Sequence, residues 1–109
     1  TGVGMAIKDV LREELAASVR MQARFAAELA ALPRGSLVRR IIKGHAYYYL
    51  IYRENGRFQS VYRGKSVLPA ELRRYREAKA KRAKVRRSLS QLKKQIRYLK
   101  GALRGKEEI

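Results

Sequence analysis

The side chains of this chain that could do chemistry are, above all, its cations. Lys and Arg total 27 against 9 Asp and Glu, which gives a formal net charge of +18 and a pI near 11.0. Such an excess suits a polyanionic partner, because protein cations release counterions from the phosphates of a nucleic acid. Nucleic acid is therefore the predicted partner, and a soluble protein that is merely basic is the alternative. A membrane partner is not predicted, since neither helical pattern has a bulky apolar face.

The densest run of cations lies in the last third of the chain. Between Arg73 and Lys106 the only acid is Glu77. A solvated helix normally interleaves both signs to form pairs at i and i+4, so this run favours a surface that follows phosphates over an ordinary charged face. The candidate phosphate contacts in this run are Arg74, Lys79, Arg82, Arg86, Arg87, Lys93, Lys94 and Arg97.

Tyrosines supply a second chemistry between Gly35 and Lys65. Tyr48 and Tyr52 alternate onto one side of a predicted strand, where their rings could stack on bases or bond phosphates. The alternative is that they are ordinary aromatic residues on a strand surface. The cations of this segment that we predict to contact nucleic acid are Arg39, Lys43, Arg57, Arg63 and Lys65.

Catalysis and metal binding are not predicted. The chain has no cysteine and a single histidine, His45, which cannot complete a metal site alone and suits a turn. Asp9 is the only aspartate, the glutamates are scattered, and no Gly-rich phosphate loop precedes a helix. A tyrosine nucleophile supported by arginines lacks the further residues of a complete site. We therefore predict neither enzyme activity nor a cofactor.

Two helices and a sheet must position these groups, and the first helix is predicted over residues 5–32. This stretch is rich in Ala, Leu, Arg and Glu and contains neither Gly nor Pro; residues 1–4 are left out of the prediction. Pro33 and Gly35 end the helix. Its seam alternates spacings of four and three, as in a coiled coil, through Leu11, Leu15, Ser18, Gln22, Phe25, Leu29 and Leu32.

A three-stranded antiparallel sheet is predicted over residues 35–65. Its strands are 36–43, 46–53 and 57–62, with tight turns at Gly44-His45 and Asn55-Gly56. Asn-Gly favours a type I′ turn, because both central residues of that turn need a positive φ. The predicted pairs across the second turn are Glu54 with Arg57, Tyr52 with Gln59, Leu50 with Val61, and Tyr49 with Tyr62.

Alternation along the strands sorts the side chains onto two faces. The aromatic face, which we expect to pack on the helices, collects Val38, Ile42, Tyr47, Tyr49, Ile51, Phe58 and Tyr62, together with Arg40 and Arg53. The mixed face, which we expect to contact nucleic acid through rings and guanidinium groups, collects Leu37, Arg39, Ile41, Lys43, Tyr48, Leu50, Tyr52, Arg57, Gln59, Val61 and Arg63. A three-residue loop at the first turn would exchange the two faces of the first strand relative to those of the other strands.

The second helix is predicted over residues 69–104, starting at Pro69. At 1.5 Å per residue it is about 50 Å long, too long for the sheet alone to cover. We predict that it pairs with the first helix as an antiparallel coiled-coil stalk; a homodimer or a protein partner through the 85–103 heptad seam is the alternative. The fold class is therefore α+β in a single domain. No apolar run approaches the roughly 18 residues that span a bilayer, so a cytoplasmic location is expected.

The run LPRGSLVRRIIKGHAYYYLIYRENGRFQSVYRGK, residues 32–65, resembles a family of small uncharacterised prokaryotic proteins. Their shared pattern is a helix, Leu-Pro-x-Gly-Ser, Tyr-Tyr-Tyr-Leu-x-Tyr-Arg-x-x-Gly, Tyr-x-Gly-Lys and a charged C-terminal helix, and it implies no activity. More loosely, the three strands are similar to the arm-type DNA-binding domains of tyrosine recombinases, whose sheet enters the major groove. That similarity would place on DNA the residues Arg39, Lys43, Tyr48, Tyr52, Arg57 and Arg63.

The predicted function is nucleic-acid binding through phosphates, with limited sequence recognition by the sheet. DNA is preferred, and structured RNA is the alternative because no residue pattern reports on a 2′-hydroxyl. A hypothesis of another class is a coiled-coil assembly subunit of a larger nucleoprotein complex, in which the charge only assists.

Overall fold

The computed structural model of the chain describes residues 3–107, and the side chains of residues 7–105. Its elements, in order, are α1 (Val3–Ala31), β1 (Ser36–Ile42), β2 (His45–Glu54), β3 (Arg57–Gly64) and α2 (Pro69–Glu107). The predicted α+β architecture, with a three-stranded antiparallel sheet between two long helices, is confirmed. The chain divides into two compact units, one containing α1 and the part of α2 from Lys84 onwards, the other containing residues 32–83.

In the first unit, α1 and α2 pack together as the predicted antiparallel pair. The Ser18 hydroxyl, midway along α1, accepts a hydrogen bond at 3.5 Å from Gln95 Nε2 of α2. The 85–103 seam is therefore packed on α1 of the same chain. The buried side chains in the described part of this unit are Ser18 of α1 and Val85, Leu92, Ile96 and Leu99 of α2.

In the second unit, β2 lies between β1 and β3. The Asn55-Gly56 turn and the predicted pairs across it, from Glu54 with Arg57 to Tyr49 with Tyr62, are confirmed. The ladder is irregular between Tyr48 and Tyr49, after which Tyr48 lies opposite Gly64. β3 therefore continues to Gly64, two residues beyond its predicted end.

The prediction for the first turn was wrong by one residue. The turn residues are Lys43 and Gly44, and Ile42 lies opposite His45. A type I′ turn needs a positive φ at both central residues and takes Gly readily at the second, as in Asn55-Gly56. Lys43 adopts a φ of 51° and Gly44 a φ of 80°. The resulting shift in strand pairing is an even number of residues, so the side chains of β1 keep their predicted faces, while Lys43 moves from the strand into the turn.

The link from α1 to β1 depends on Gly35. Its φ is +88°, and a Cβ there would lie 2.5 Å from the Ile51 carbonyl oxygen, so only glycine fits without a shift of backbone. Next to it, Arg34 Nη2 donates to the Arg53 carbonyl oxygen, and the Arg34 guanidinium lies 5.1 Å from the centroid of the Tyr52 ring. These contacts hold the link against β2.

No side chain of the sheet is buried, and the prediction that the aromatic face packs on the helices was wrong for its outer residues. Phe58 is 72% exposed and Tyr62 53%. The reason is that α2 contacts the sheet at few points. Glu71 forms an ion pair with Arg63 of β3. Further contacts occur around a cleft of about 220 Å³ lined by Ser36, Leu37, Val38, Leu72, Tyr75, Arg76 and Lys79.

Candidate nucleic-acid interface

Most described cations of α2 beyond Ala83 follow one side of the helix; Lys84 lies on another side. Arg86, Lys93 and Lys100 recur every seven residues directly beside the buried seam, about 10 Å apart along the axis. Sequence reasoning did not select Lys100, although its seven-residue spacing from Lys93 is the signal that would have done so. We define the basic flank as these three residues with their exposed neighbours further round the helix, Arg87, Lys94, Arg97 and Arg104.

The other side of the seam has a different composition. There α2 carries Ser88, Gln95 and Ala102, and Gln95 donates a hydrogen bond to Ser18 of α1. By heptad position, α1 places Glu14 and Glu28 on this same side. The acids of α1 that border the seam therefore lie away from the basic flank.

Positive charge on the basic flank is not neutralised by ion pairs within residues 7–105. The salt bridges in that part of the chain are Arg12 with Asp9, and Arg63 with Glu71. On the side of α1 that borders the basic flank, the heptad positions hold Arg12, Val19 and Ala26. The flank is thus a one-signed strip of exposed cations, which attracts polyanions and repels other cations.

Arg82 lies in the same run of cations, but it forms a hydrogen bond within the chain. Its side chain is half-buried, and Arg82 Nη2 donates to the Pro33 carbonyl oxygen at 2.7 Å. That carbonyl follows the end of α1, where backbone acceptors lack helical partners. Arg82 was predicted as a phosphate contact, and its guanidinium bonds a backbone carbonyl of the same chain. The predicted contacts Arg74 and Lys79 are exposed, and Lys79 lines the cleft beside β1.

On the mixed face, some of the predicted contacts have partners inside the chain. The Tyr52 ring lies under the Arg34 guanidinium, and Tyr48 is half-buried. Arg63 donates to Glu71, and the hydrogen bond and charge of that carboxylate raise the pKa of the Arg63 guanidinium. The predicted contacts of the sheet and the following loop that remain exposed cations without such a bond are Arg39, Lys43, Arg57 and Lys65.

The aromatic face carries a cluster of rings that sequence reasoning had assigned to packing. The Tyr62 ring centroid lies 5.6 Å from that of Tyr49 and 6.3 Å from that of Tyr47, with tilted planes. The Arg40 guanidinium lies 5.4 Å from the Tyr49 ring centroid. The signal that could have revealed this surface is the pair of arginines that interrupts the apolar pattern, Arg40 and Arg53.

Metal-binding and membrane-spanning features are both absent from the described part of the chain. Residues 7–105 contain no group of three His, Asp or Glu side chains placed to hold a metal ion. Neither described helix combines the length and the apolar character needed to cross a membrane.

These features define a small α+β protein with a one-signed helical flank and a sheet whose aromatic side is open. Residues 7–74 match the family described as a domain of unknown function, DUF6788, and the chain belongs to that family. The match covers α1 from Ile7, the whole sheet and the first residues of α2, whereas the basic flank follows it. No curated protein and no solved structure matches the chain.

Proposed function

We propose that this chain binds nucleic acid through the phosphate backbone, with the basic flank as its principal contact. The observation that carries the proposal is the one-sided strip of exposed cations on α2, which has no ion pair within residues 7–105. A strip of this kind gives affinity without sequence preference, because phosphates are the same at every step.

The spacing of the basic flank suits a phosphate backbone. Arg86, Lys93 and Lys100 are about 10 Å apart on a rigid helix, and their long side chains can each reach a different phosphate. Arginine adds bidentate contacts to phosphate oxygens. Duplex DNA is our prediction for the form bound, with the exposed cations of the sheet, Arg39, Lys43 and Arg57, adding contacts on the second unit.

The test is the salt dependence of duplex binding, measured by fluorescence anisotropy with a labelled DNA duplex. The variant Arg86→Gln/Lys93→Gln/Lys100→Gln removes one row of the flank and keeps good helix formers. If all three cations contact phosphates, the slope of log K against log salt falls by about 2.7. The matched control is Arg20→Gln/Arg24→Gln/Lys84→Gln, which removes the same charge from exposed positions outside the flank and should leave the slope nearly unchanged.

Equal slopes for the two triple variants would reduce the proposal to a non-specific effect of net charge and so contradict it. Absence of duplex binding by the unaltered chain at moderate salt would contradict it outright, and a discrete oligomer under those conditions would support the assembly hypothesis. A matched RNA duplex in the same salt series decides between the two nucleic acids, because tighter binding of RNA requires contacts to the 2′-hydroxyl or to A-form shape.

A further inference from the structure

The aromatic face of the sheet is a surface of rings and arginines, and none of its side chains is buried. Phe58 is 72% exposed and Tyr62 53%, so both rings present area to solvent. The Arg53 guanidinium lies 5.1 Å from the Phe58 ring centroid. We propose that this face is a stacking surface for unpaired bases, so that the chain binds single-stranded segments of nucleic acid.

The rings are held in place by their neighbours. Tyr62 lies directly opposite Tyr49 in the ladder and contacts its ring, and Tyr47 is the next residue of β2 on the same face. Cross-strand aromatic pairs of this kind keep ring positions defined at low entropic cost. Two clusters result, one around Tyr62 and one at Phe58, and each has an arginine over a ring: Arg40 on Tyr49 and Arg53 on Phe58.

This arrangement matches the two parts of a nucleotide. A base stacks on an aromatic ring whatever its identity, because every base has a π-face. An arginine beside the ring can bond the phosphate that follows the base, or stack on the base itself. The aromatic face supplies both groups within one sheet.

The charge of the aromatic face favours a nucleic acid over a second protein as the partner that binds it. Arg40 and Arg53 are the charged residues on this face, and no acid accompanies them. A second copy of the chain would bring the same two arginines against their counterparts and add its own net charge of +18. A polyanion removes that repulsion, whereas a second copy increases it.

Stacking favours single-stranded over double-stranded nucleic acid as the ligand of this face. In a duplex the base faces are covered by neighbouring pairs, so exposed rings gain little from it. In a single strand the bases can be separated and laid on rings. This inference rests on the proposed function, because it adds base contacts to a protein whose phosphate contacts lie on the basic flank.

The test compares a labelled oligo(dT) of about 12 nucleotides with a duplex of the same length, by fluorescence anisotropy at fixed salt. The variant Phe58→Ala/Tyr62→Ala should bind oligo(dT) about 10-fold or more weakly and bind duplex within about 2-fold of the unaltered chain, since each stacked base contributes a factor of that order. Tyr62→Phe keeps the ring and should retain most of the affinity for oligo(dT).

The matched control is Tyr98→Ala, which removes a ring that is 74% exposed but lies on α2, and it should change neither affinity. Circular dichroism of each variant establishes that the fold is intact. Unchanged oligo(dT) binding by the double variant, or equal losses for oligo(dT) and duplex, would overturn the stacking proposal while leaving the phosphate contact standing. A change in sedimentation of the double variant without nucleic acid would identify a second copy as the occupant and overturn it too.

Discussion

The two units of this chain keep their apolar side chains in opposite ways. In the helical unit, Leu92 is 6% exposed and lies in a seam that α1 covers. In the unit that contains the sheet, Phe58 is 72% exposed on a face that carries arginines. The helical unit exposes apolar side chains too, Tyr98 among them, but it also buries a row of them along the seam, whereas the sheet buries none.

Geometry explains the difference. A pair of antiparallel helices presents matching stripes, so each covers the other along its length. A three-stranded sheet has two faces, and one helix that meets it at its first turns covers neither completely. Surface left open in this way is available for binding, and an exposed apolar surface among charges commonly marks an interaction site.

The largest expected effect on stability is that of Leu92→Ala. Truncation of this buried side chain should lower the free energy of unfolding by about 2 to 5 kcal/mol, through lost transfer energy and a cavity in the seam. Urea unfolding followed by circular dichroism measures it. Phe58→Ala removes a larger side chain, yet its cost should stay within about 0.5 kcal/mol because the ring is already in water. Similar costs for the two variants would show that the aromatic face is covered in solution.

A smaller loss is expected from Gly35→Ala, which probes how the segment before β1 packs on β2. The new Cβ would meet the Ile51 carbonyl oxygen at 2.5 Å in a backbone with φ of +88°, so we expect destabilisation of about 2 to 3 kcal/mol. Gly56→Ala is the control, since its φ is +76° but nothing lies within 4 Å of the added Cβ; its cost should be about 1 kcal/mol. Equal losses in urea unfolding would mean that the close approach at residue 35 does not matter.

The smallest effect, and the one that separates structural from binding cations, is that of Arg82→Gln. Loss of its hydrogen bond to the Pro33 carbonyl oxygen should cost about 1.5 kcal/mol of stability and leave the salt slope of duplex binding unchanged. Arg86→Gln should do the reverse, with stability altered by less than about 0.5 kcal/mol and the slope reduced by about 0.9. A lower slope for Arg82→Gln would return that residue to the phosphate contacts.

Much of the fold could be predicted because local signals agree with one another. Asn55-Gly56 determined the register of the second hairpin, and Pro33 and Pro69 marked where the helices end and begin. The first turn was displaced by one residue because Gly44 was placed first in the turn instead of second. Even so, the side chains of β1 kept their predicted faces, since side-chain direction depends only on whether the register shift is even.

The candidate site was harder to predict, because the type of a residue determines neither its exposure nor its partners within the chain. Arg82 and Arg86 have the same charge and lie four residues apart, but one bonds a carbonyl of the chain and the other is exposed on the flank. Likewise, Tyr52 lies under Arg34 on the face predicted to bind, while Tyr62 is exposed on the face predicted to pack.

The amino-acid sequence by itself determined the two helices, the three strands, the faces of the sheet and the excess of positive charge, because these depend on periodicity, turn chemistry and composition. Only the tertiary structure decided which cations are engaged within the chain and how much of the sheet stays exposed. Those outcomes depend on where α2 meets the sheet and where α1 covers the seam. Such contacts join residues that are far apart in the sequence, and local sequence patterns do not specify them. The aromatic face, expected to lie in the interior, is the clearest case.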